Sequence, residues 1–245
     1  MGQRTFGSSD LGLPDELRGP LLKHLDDLRA RYRARDWAGR VGFGARPALI
    51  VIDMARWWLE PGQQIGSNLE TVLDGTCRVL AAARAAKVPV FFTTYDYDAA
   101  DPPNPHHKKF MLKIKPGQEE EFYALHPRLE RRPGEKLLRK KYASAFAGTN
   151  LLNMLAALSV DTLIVTGVST SHCVYATCRD AAHTFRVIVP REAVGERCEI
   201  MHEVNLLDIE IDLGDVLAAD EVIGYLKKLE GSSTRAAAGG GASAG

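Results

Sequence analysis

Residues 162–181 read TLIVTGVSTSHCVYATCRDA, and this stretch is the best indicator of how the chain folds. It begins with an apolar, β-branched run typical of a buried strand, passes through a short polar turn, and takes up a helical pattern that opens at Cys173. A turn from strand to helix gathers backbone N–H groups and the positive end of the helix dipole around the first helical residues. A thiol placed there tends to ionise, so Cys173 is a candidate nucleophile; the alternative is a small buried core residue.

Two other predicted strands end in residues that suit the same chemistry. Residues 47–53 (PALIVID) end at Asp53, and residues 137–146 (LLRKKYASAF) pass from an apolar run into the basic pair Lys140 and Lys141. In an open parallel sheet the carboxyl ends of the strands share one edge, where ligands bind. We therefore expect an acid, an amine and a thiol to converge there. The alternative is a surface acid, a solvated lysine pair and a core cysteine.

The order of the predicted elements defines the fold class. Strands are predicted at 48–53, 88–95, 136–140, 161–166 and 186–190, and helices at 69–87, 149–158, 173–184, 199–208 and 219–229. This alternation predicts an α/β fold: a doubly wound, mainly parallel sheet with helices on both faces. We expect this domain over residues 41–231. It follows an extension, residues 1–40, with an amphipathic helix at 13–37, and it precedes a Ser/Ala/Gly-rich tail, 232–245, predicted to be disordered.

Composition argues against several classes of protein. Lys and Arg total 31 and Asp and Glu total 31, so zero net charge gives no electrostatic reason to expect nucleic acid or an anionic membrane as a partner. No apolar run approaches the roughly 20 residues of a membrane-spanning helix, and the first residues lack an apolar signal core. The 4 cysteines do not suggest a disulfide scaffold. We expect a cytoplasmic protein with reduced thiols that acts on a small molecule.

Five stretches of the chain resemble the isochorismatase-like cysteine hydrolases. They lie at residues 42–53, 140–150, 161–174, 188–197 and 205–209, and the likeness spans roughly residues 40–225. The most specific are KKYASAFAGTN at 140–150 and the strand, turn and Cys-Val block that ends at Val174. The resemblance implies the doubly wound fold and a catalytic triad of Asp53, Lys140 and Cys173. Lys140 is preferred to Lys141 because the family lysine stands four residues before the serine of Ser-Ala-Phe.

The resemblance also implies how the turn before the cysteine works. A cis peptide at Val168–Ser169 would help to form an oxyanion hole, with the N–H groups of Ser169 and Cys173 as its donors. One residue departs from the family pattern, because a small residue often precedes the cysteine and this chain has His172. Its imidazole is expected either to face the substrate or to pack outward against a neighbouring subunit.

Within the family, the chain is most similar to the amidohydrolases of N-carbamoylsarcosine. This implies that a terminal amide or carbamoyl group is hydrolysed through a cysteine acyl-enzyme, with release of ammonia and no cofactor. Arg197 matches the arginine that binds the substrate carboxylate there. Maleamate is the alternative substrate. Cys173 disfavours vinyl-ether hydrolysis of the isochorismatase type, which uses no cysteine nucleophile. The intact triad disfavours a non-catalytic binding module. A homo-oligomer, a tetramer by resemblance, is expected.

Two further features allow more than one interpretation. The Pro-rich loop at 96–117 holds Asp96, Asp98, His106 and His107. Metal-binding relatives, the nicotinamidases, carry Asp-x-His there, followed by another His. Asp96-Tyr97-Asp98 lacks that His, so we expect no metal, and the loop is either solvated or a substrate lid. Trp57, shortly after Asp53, either contacts the substrate or belongs to the core or to an interface.

Overall fold

The protein forms a single seven-stranded parallel sheet within the ranges that the computed structural model describes, residues 11–96, 105–109 and 117–239. The strands are β1 (Pro47–Ile52), β2 (Val90–Tyr95), β3 (Lys136–Lys140), β4 (Thr162–Val168), β5 (Arg186–Pro190), β6 (Val194–Gly195) and β7 (Asp215–Leu217). Their order is β3-β2-β1-β4-β5-β7, and the short β6 pairs with β4. The predicted doubly wound α/β fold is confirmed.

Helices cover both faces of this sheet. They are α1 (Asp15–Arg33), α2 (Arg56–Leu59), α3 (Glu70–Ala85), α4 (Glu119–Tyr123), α5 (Leu151–Ala157), α6 (Tyr175–Ala181), α7 (Glu199–Asp208) and α8 (Ala219–Gly239). Successive side chains of a strand point to opposite faces. In β1, Leu49 and Val51 pack with residues of α3 and α8, whereas Ile50 and Ile52 pack with residues of α5, α6 and α7. Burial on both faces explains why the strands are almost continuously apolar.

The winding of the sheet reverses at β1. This strand pairs with β2 on one side and with β4 on the other, so the carboxyl ends of β1 and β4 lie next to each other. Ligands of open α/β sheets bind at such a switch point. Asp53 directly follows β1, and the turn that holds Cys173 directly follows β4. The topology therefore brings the two residues together although 120 positions separate them in the chain.

The nucleophile turn, residues 169–174, differs from the prediction. Cys173 was expected to open a helix, but it lies in a π-helical turn, Thr170–Val174, and α6 begins only at Tyr175. The N–H groups of His172 and Val174 both donate to the carbonyl oxygen of Ser169, at 3.0 and 3.2 Å. This wide turn places the thiol two residues ahead of the regular helix, a detail that side-chain periodicity does not encode.

Both ends of the chain also correct the prediction. The amphipathic helix predicted at 13–37 spans Asp15–Arg33, because positive φ angles at Asp36 and Ala38 turn the chain away. The tail predicted to be disordered from residue 232 continues α8 as far as Gly239, since Ala has the highest helix propensity and residues 236–238 are all Ala. Residues 240–245 lie outside the described part of the chain. None of the described helices is long and apolar enough to cross a bilayer.

Gly167 is required by the close approach of β4 to β1. Its φ angle is +106°, and a Cβ built on it would lie 2.0 Å from the carbonyl oxygen of Ile52. Both the backbone conformation and the space exclude a side chain. This glycine lets the two strand ends that carry Asp53 and the nucleophile turn lie against each other.

We predict that Gly167→Ala is severely destabilising, because the added methyl group meets main chain that cannot move without separating β1 from β4. The matched control is Gly224→Ala in α8, where a Cβ meets nothing within 4 Å. That control should gain up to about 1 kcal/mol, since Ala replaces Gly inside a helix. Thermal unfolding of the two variants checks this. Equal melting temperatures would show that the strand contact tolerates a side chain.

Candidate active site

The structure places Asp53, Lys140 and Cys173 in mutual contact at the carboxyl edge of the sheet. The Lys140 Nζ lies 2.7 Å from Asp53 Oδ2 and 3.2 Å from the Cys173 Sγ, to which it donates a hydrogen bond. Exposure is 1% for Asp53, 2% for Lys140 and 9% for Cys173, so the group is almost closed to solvent. An acid, a cation and a thiol in contact have the chemistry of a proton acceptor, a charge partner and a nucleophile.

Two strand neighbours hold the Asp53 carboxylate. Asp53 has a φ angle of +49°, a left-handed conformation that Asp tolerates better than most residues. The hydroxyl of Thr93 on β2 donates to Asp53 Oδ1 at 2.7 Å and accepts from the Asp53 N–H at 3.1 Å. Lys140 binds the other carboxylate oxygen. Thr93 was missed from the sequence, where a hydroxyl within the apolar run of β2 was the only signal.

Lys140, and not Lys141, is the lysine that reaches the carboxylate. It is the last residue of β3 and pairs with Tyr95 of β2, so its side chain crosses β2 to reach the end of β1. Its ammonium also donates to the carbonyl oxygen of Tyr142 at 3.1 Å. Lys141 lies 3.8 Å from Asp96 instead, and both side chains are partly exposed.

The electrostatics of the site correct one expectation from the sequence. Burial and then the nearby Asp53 carboxylate raise the pKa of Cys173 to about 12, although Lys140 acts in the opposite direction. Burial lowers the pKa of Lys140, but the Asp53 carboxylate and Cys173 more than offset it and the pKa is raised overall. The resting site is therefore a thiol beside a charged lysine–aspartate pair, not a preformed thiolate. Any reaction that uses this sulfur as a nucleophile would need a base to remove the thiol proton.

The nucleophile turn is fixed by buried side chains from the segment after β5 and from α6. The Val168–Ser169 peptide is cis, as the family resemblance implied. The Thr170 hydroxyl lies 2.8 Å from His202 Nδ1, and burial lowers the pKa of His202 to about 3, so this imidazole is neutral. The Thr177 hydroxyl donates to the Cys173 carbonyl oxygen at 2.6 Å. The backbone around the sulfur is thus held independently of the triad.

Ser171 links this turn to a buried carboxylate and to His172. Its hydroxyl donates to Glu196 Oε2 at 2.6 Å and lies 2.8 Å from His172 Nδ1. Because a hydroxyl has a single hydrogen, which goes to Glu196, His172 Nδ1 must carry the proton of the second bond. Burial lowers the pKa of His172, with Arg197 and His106 acting in the same direction and Glu196 opposing them. The imidazole is therefore mainly neutral at pH 7, with Nε2 as its proton acceptor.

Arg197 lies next to this network. Its side chain is 28% exposed, and its Nη1 is 3.9 Å from Glu196 Oε1. Within the described part of the chain, the Arg197 guanidinium makes an ionic contact with Glu196. Because this contact is long, the N–H groups of the guanidinium stay available for an anion. Glu196 itself was not singled out from the sequence, where an acid beside a base after a short apolar stretch is a common surface pattern.

The other predicted site residues lie close in the chain to this cluster. Val168 is 1% exposed at the end of β4, directly before the cis peptide. Trp57 is buried in α2 against Trp58, Phe122 and Tyr123, so its contact with substrate stays a prediction. Asp98 and most of the 96–117 loop fall outside the described residues, and with them the question of a lid. In the part of the chain that is described, no group of three or more metal-ligating side chains occurs.

Both the sequence and the fold of the chain are similar to those of known proteins. The sequence profile of the Isochorismatase domain matches residues 47–221. The chain is 39% identical over 207 residues to an N-carbamoylsarcosine amidase from an Arthrobacter species, covering 81% of this chain and 78% of the relative. It is 34% identical over 202 residues to a maleamate amidohydrolase from Pseudomonas putida, covering 80% and 93%. A crystal structure of a cysteine hydrolase from Pseudomonas syringae superposes with a TM-score of 0.67 at 24% identity, covering 76% and 94%.

We predict that Asp53→Asn makes Cys173 react faster with iodoacetamide. Removing the carboxylate leaves the Lys140 charge to stabilise the thiolate. A neighbouring charge shifts a pKa by about 1–3 units, so the rate at pH 8 should rise roughly tenfold or more. Tandem mass spectrometry locates the modified sulfur, and fully buried Cys178 is the internal control. A slower reaction in Asp53→Asn would contradict the electrostatic assignment.

Proposed function

The chain belongs to the isochorismatase family and is an amidohydrolase of that family, and from this premise we propose that it hydrolyses a terminal carbamoyl or amide C–N bond of a small carboxylate-bearing substrate through a cysteine acyl-enzyme. The observation that carries the proposal is the contact of Asp53, Lys140 and Cys173 at the switch point of the sheet. It supplies an acid–base residue, a fixed positive charge and a nucleophile in one closed site.

The protonation state of the resting site defines the first chemical step. The Cys173 proton passes to the Asp53 carboxylate as the sulfur attacks the substrate carbonyl, because the raised pKa of the thiol precludes a stable thiolate beforehand. Lys140 keeps its charge throughout and stabilises the developing thiolate. Thr93 and Lys140 hold the two oxygens of Asp53, so its carboxylate does not turn away.

The tetrahedral intermediate then forms and collapses. Its oxyanion accepts hydrogen bonds from the N–H groups of Ser169 and Cys173, donors of a kind worth about 2.7–4 kcal/mol each in other hydrolases. The protonated Asp53 returns its proton to the leaving nitrogen, and ammonia departs. Water attacks the remaining thioester or thiocarbamate, releasing the acid and regenerating the thiol. No metal or other cofactor takes part in these steps.

Arg197 is proposed to bind the substrate carboxylate. A planar guanidinium binds a carboxylate through two parallel hydrogen bonds, and Arg197 has the exposure to do so near the nucleophile turn. N-carbamoylsarcosine or a close analogue fits this pairing of a carbamoyl group with a carboxylate, and yields the amine after loss of carbon dioxide. Maleamate carries the same two groups and is the second candidate. The relatives that bear these two substrate names support this choice.

We predict that Cys173→Ala abolishes ammonia release from N-carbamoylsarcosine and maleamate while thermal unfolding stays close to that of the wild type. Cys173→Ser should be equally inactive, since Asp53 cannot readily deprotonate an alcohol. The assay measures ammonia under multiple turnover. As a control, a chelator should leave the wild-type rate unchanged. Activity above a few per cent in Cys173→Ala would rule out covalent catalysis at this sulfur, and would leave isochorismatase-type hydrolysis to be tested.

We predict that Arg197→Ala lowers kcat/KM for the carboxylate-bearing substrate but not for a neutral amide of similar size. Hydrogen bonds to a charged group contribute about 1.5–3 kcal/mol, which corresponds to roughly a 10- to 150-fold loss. Arg197→Lys keeps the charge without the fork and should also lose activity. Arg179→Ala, an exposed arginine of α6, is the matched control. An equal loss for both substrates would make Arg197 a structural residue.

The protein is also proposed to be a homo-oligomer. Exposed apolar side chains cluster where α1 meets α7, and they are Leu11, Leu17, Ile200, Met201 and Val204. α1 packs on α7 of its own domain, where Arg18 pairs with Glu199, and these apolar side chains remain exposed. Sedimentation velocity at micromolar concentration should give a species larger than 26.8 kDa, with a tetramer expected. A monomer would refute the assembly without affecting the proposed chemistry.

A further inference from the structure

Glu196 is a fully buried carboxylate that touches no member of the Asp53, Lys140 and Cys173 group in the described contacts. It follows β6, whose Gly195 pairs with Val168 at the end of β4, so it sits beside the start of the nucleophile turn. An ionised side chain with 0% exposure has to be matched by donors or it would destabilise the fold. The donors it uses show what it holds in place.

The two oxygens of Glu196 bind two different parts of the site. Oε2 accepts from the Ser171 N–H at 3.1 Å and from the Ser171 hydroxyl at 2.6 Å. Oε1 accepts from the Arg197 N–H at 2.9 Å and faces the Arg197 guanidinium at 3.9 Å. Ser171 lies two residues before Cys173 in the nucleophile turn. One rigid, planar group therefore connects the backbone that carries the sulfur with the backbone and side chain of Arg197.

We propose that Glu196 is a positioning residue that holds the nucleophile turn against the backbone of Arg197, and thereby sets the spacing between amide carbonyl and carboxylate that a substrate must have. This rests on the proposed function in one respect, the binding of a substrate carboxylate by Arg197. The hold on the nucleophile turn is independent of that assignment, because it follows from the Ser171 contacts alone.

The chemistry of the position explains why it requires a glutamate. Both oxygens act as acceptors, and only an ionised carboxylate offers acceptors on both sides. A glutamine has one acceptor oxygen and an NH₂ group, so one side would present a donor to the N–H of Ser171 or of Arg197. An aspartate keeps the charge but is one methylene shorter, and it cannot reach both partners from the same backbone.

The test uses Glu196→Gln, with Glu199→Gln as the matched control. Glu199 is another buried glutamate, bound by Arg18 and by the Leu13 N–H away from the triad. Each full-length variant is assayed for kcat and KM on maleamate, on its homologue longer by one methylene, and on a neutral amide, and for iodoacetamide alkylation of Cys173. Ser171→Ala removes one hydroxyl only, and takes the place of Glu196→Gln if thermal unfolding shows that variant not to fold.

We expect Glu196→Gln to change the ranking of substrates and not only the rate. The ratio of kcat/KM between maleamate and its longer homologue should fall on the order of tenfold, and Cys173 should alkylate faster because the turn loses its contacts with Glu196. Glu199→Gln should match the wild type in both measurements. A merely structural role would lower all substrates alike, leave the ratio unchanged, and overturn the proposal.

A double-mutant cycle tests the link itself. The effects of Ser171→Ala and Arg197→Ala on kcat/KM for maleamate should be non-additive when Glu196 is present, and additive in the Glu196→Gln background. Additive effects in both backgrounds would refute the proposal that Glu196 links the nucleophile turn to Arg197. If the wild type releases ammonia from no substrate, the proposed function fails on its own, and the alkylation rates still decide whether Glu196 holds the turn: equal rates in Glu196→Gln and wild type would refute it.

Discussion

The buried ion pair between Lys140 and Asp53 is the interaction on which the rest of the structure depends. Two charges with almost no exposure are stable together only when each is matched, and removing one partner of such a pair typically costs about 3–5 kcal/mol. The pair joins the end of β3 to the end of β1 across β2. Thr93 of β2 donates a hydrogen bond to the second oxygen of the Asp53 carboxylate. The sheet must keep its order and register for these atoms to meet. The candidate catalytic side chains thus also tie three strands together.

The thiol is the third member of this arrangement, and its chemistry follows from the pair. A cysteine in a closed, apolar site resists ionisation, and the Asp53 carboxylate adds to that resistance. In the proposed mechanism, the nucleophile is therefore kept as an unreactive thiol beside a base and a cation. The charge needed for attack is present, but on Asp53, and it moves to sulfur only as the proton is transferred. A buried site gains selectivity from this, because a stable thiolate would react with many electrophiles.

Positioning comes from a second set of buried polar groups that do not take part in the chemistry. Gly167 allows β4 to approach β1, His202 holds Thr170, and Glu196 holds Ser171. Gly167 lies in β4 itself, and the contacts of His202 and Glu196 come from the chain after β5, on the opposite side of the switch point from β2 and β3. The turn that carries the sulfur is thus fixed from one side of the sheet, while the charges that activate the sulfur arrive from the other. The candidate active site lies between these two sides of the sheet, at the switch point between β1 and β4.

The sequence by itself determined the fold class and selected Asp53, Lys140 and Cys173 as candidate catalytic residues, which the structure brings into contact. Apolar β-branched runs at regular spacing predict parallel strands, and Asp53, Lys140 and Cys173 could be selected because each follows such a run or ends it. Local patterns do not encode distance, so the contacts of Thr93, Ser171 and Glu196 emerged only from the tertiary structure. The same holds for the π-helical turn at Thr170–Val174 and for the protonation of the thiol. Both depend on burial and on charges contributed by strands far apart in the chain, and no local stretch of sequence contains that information.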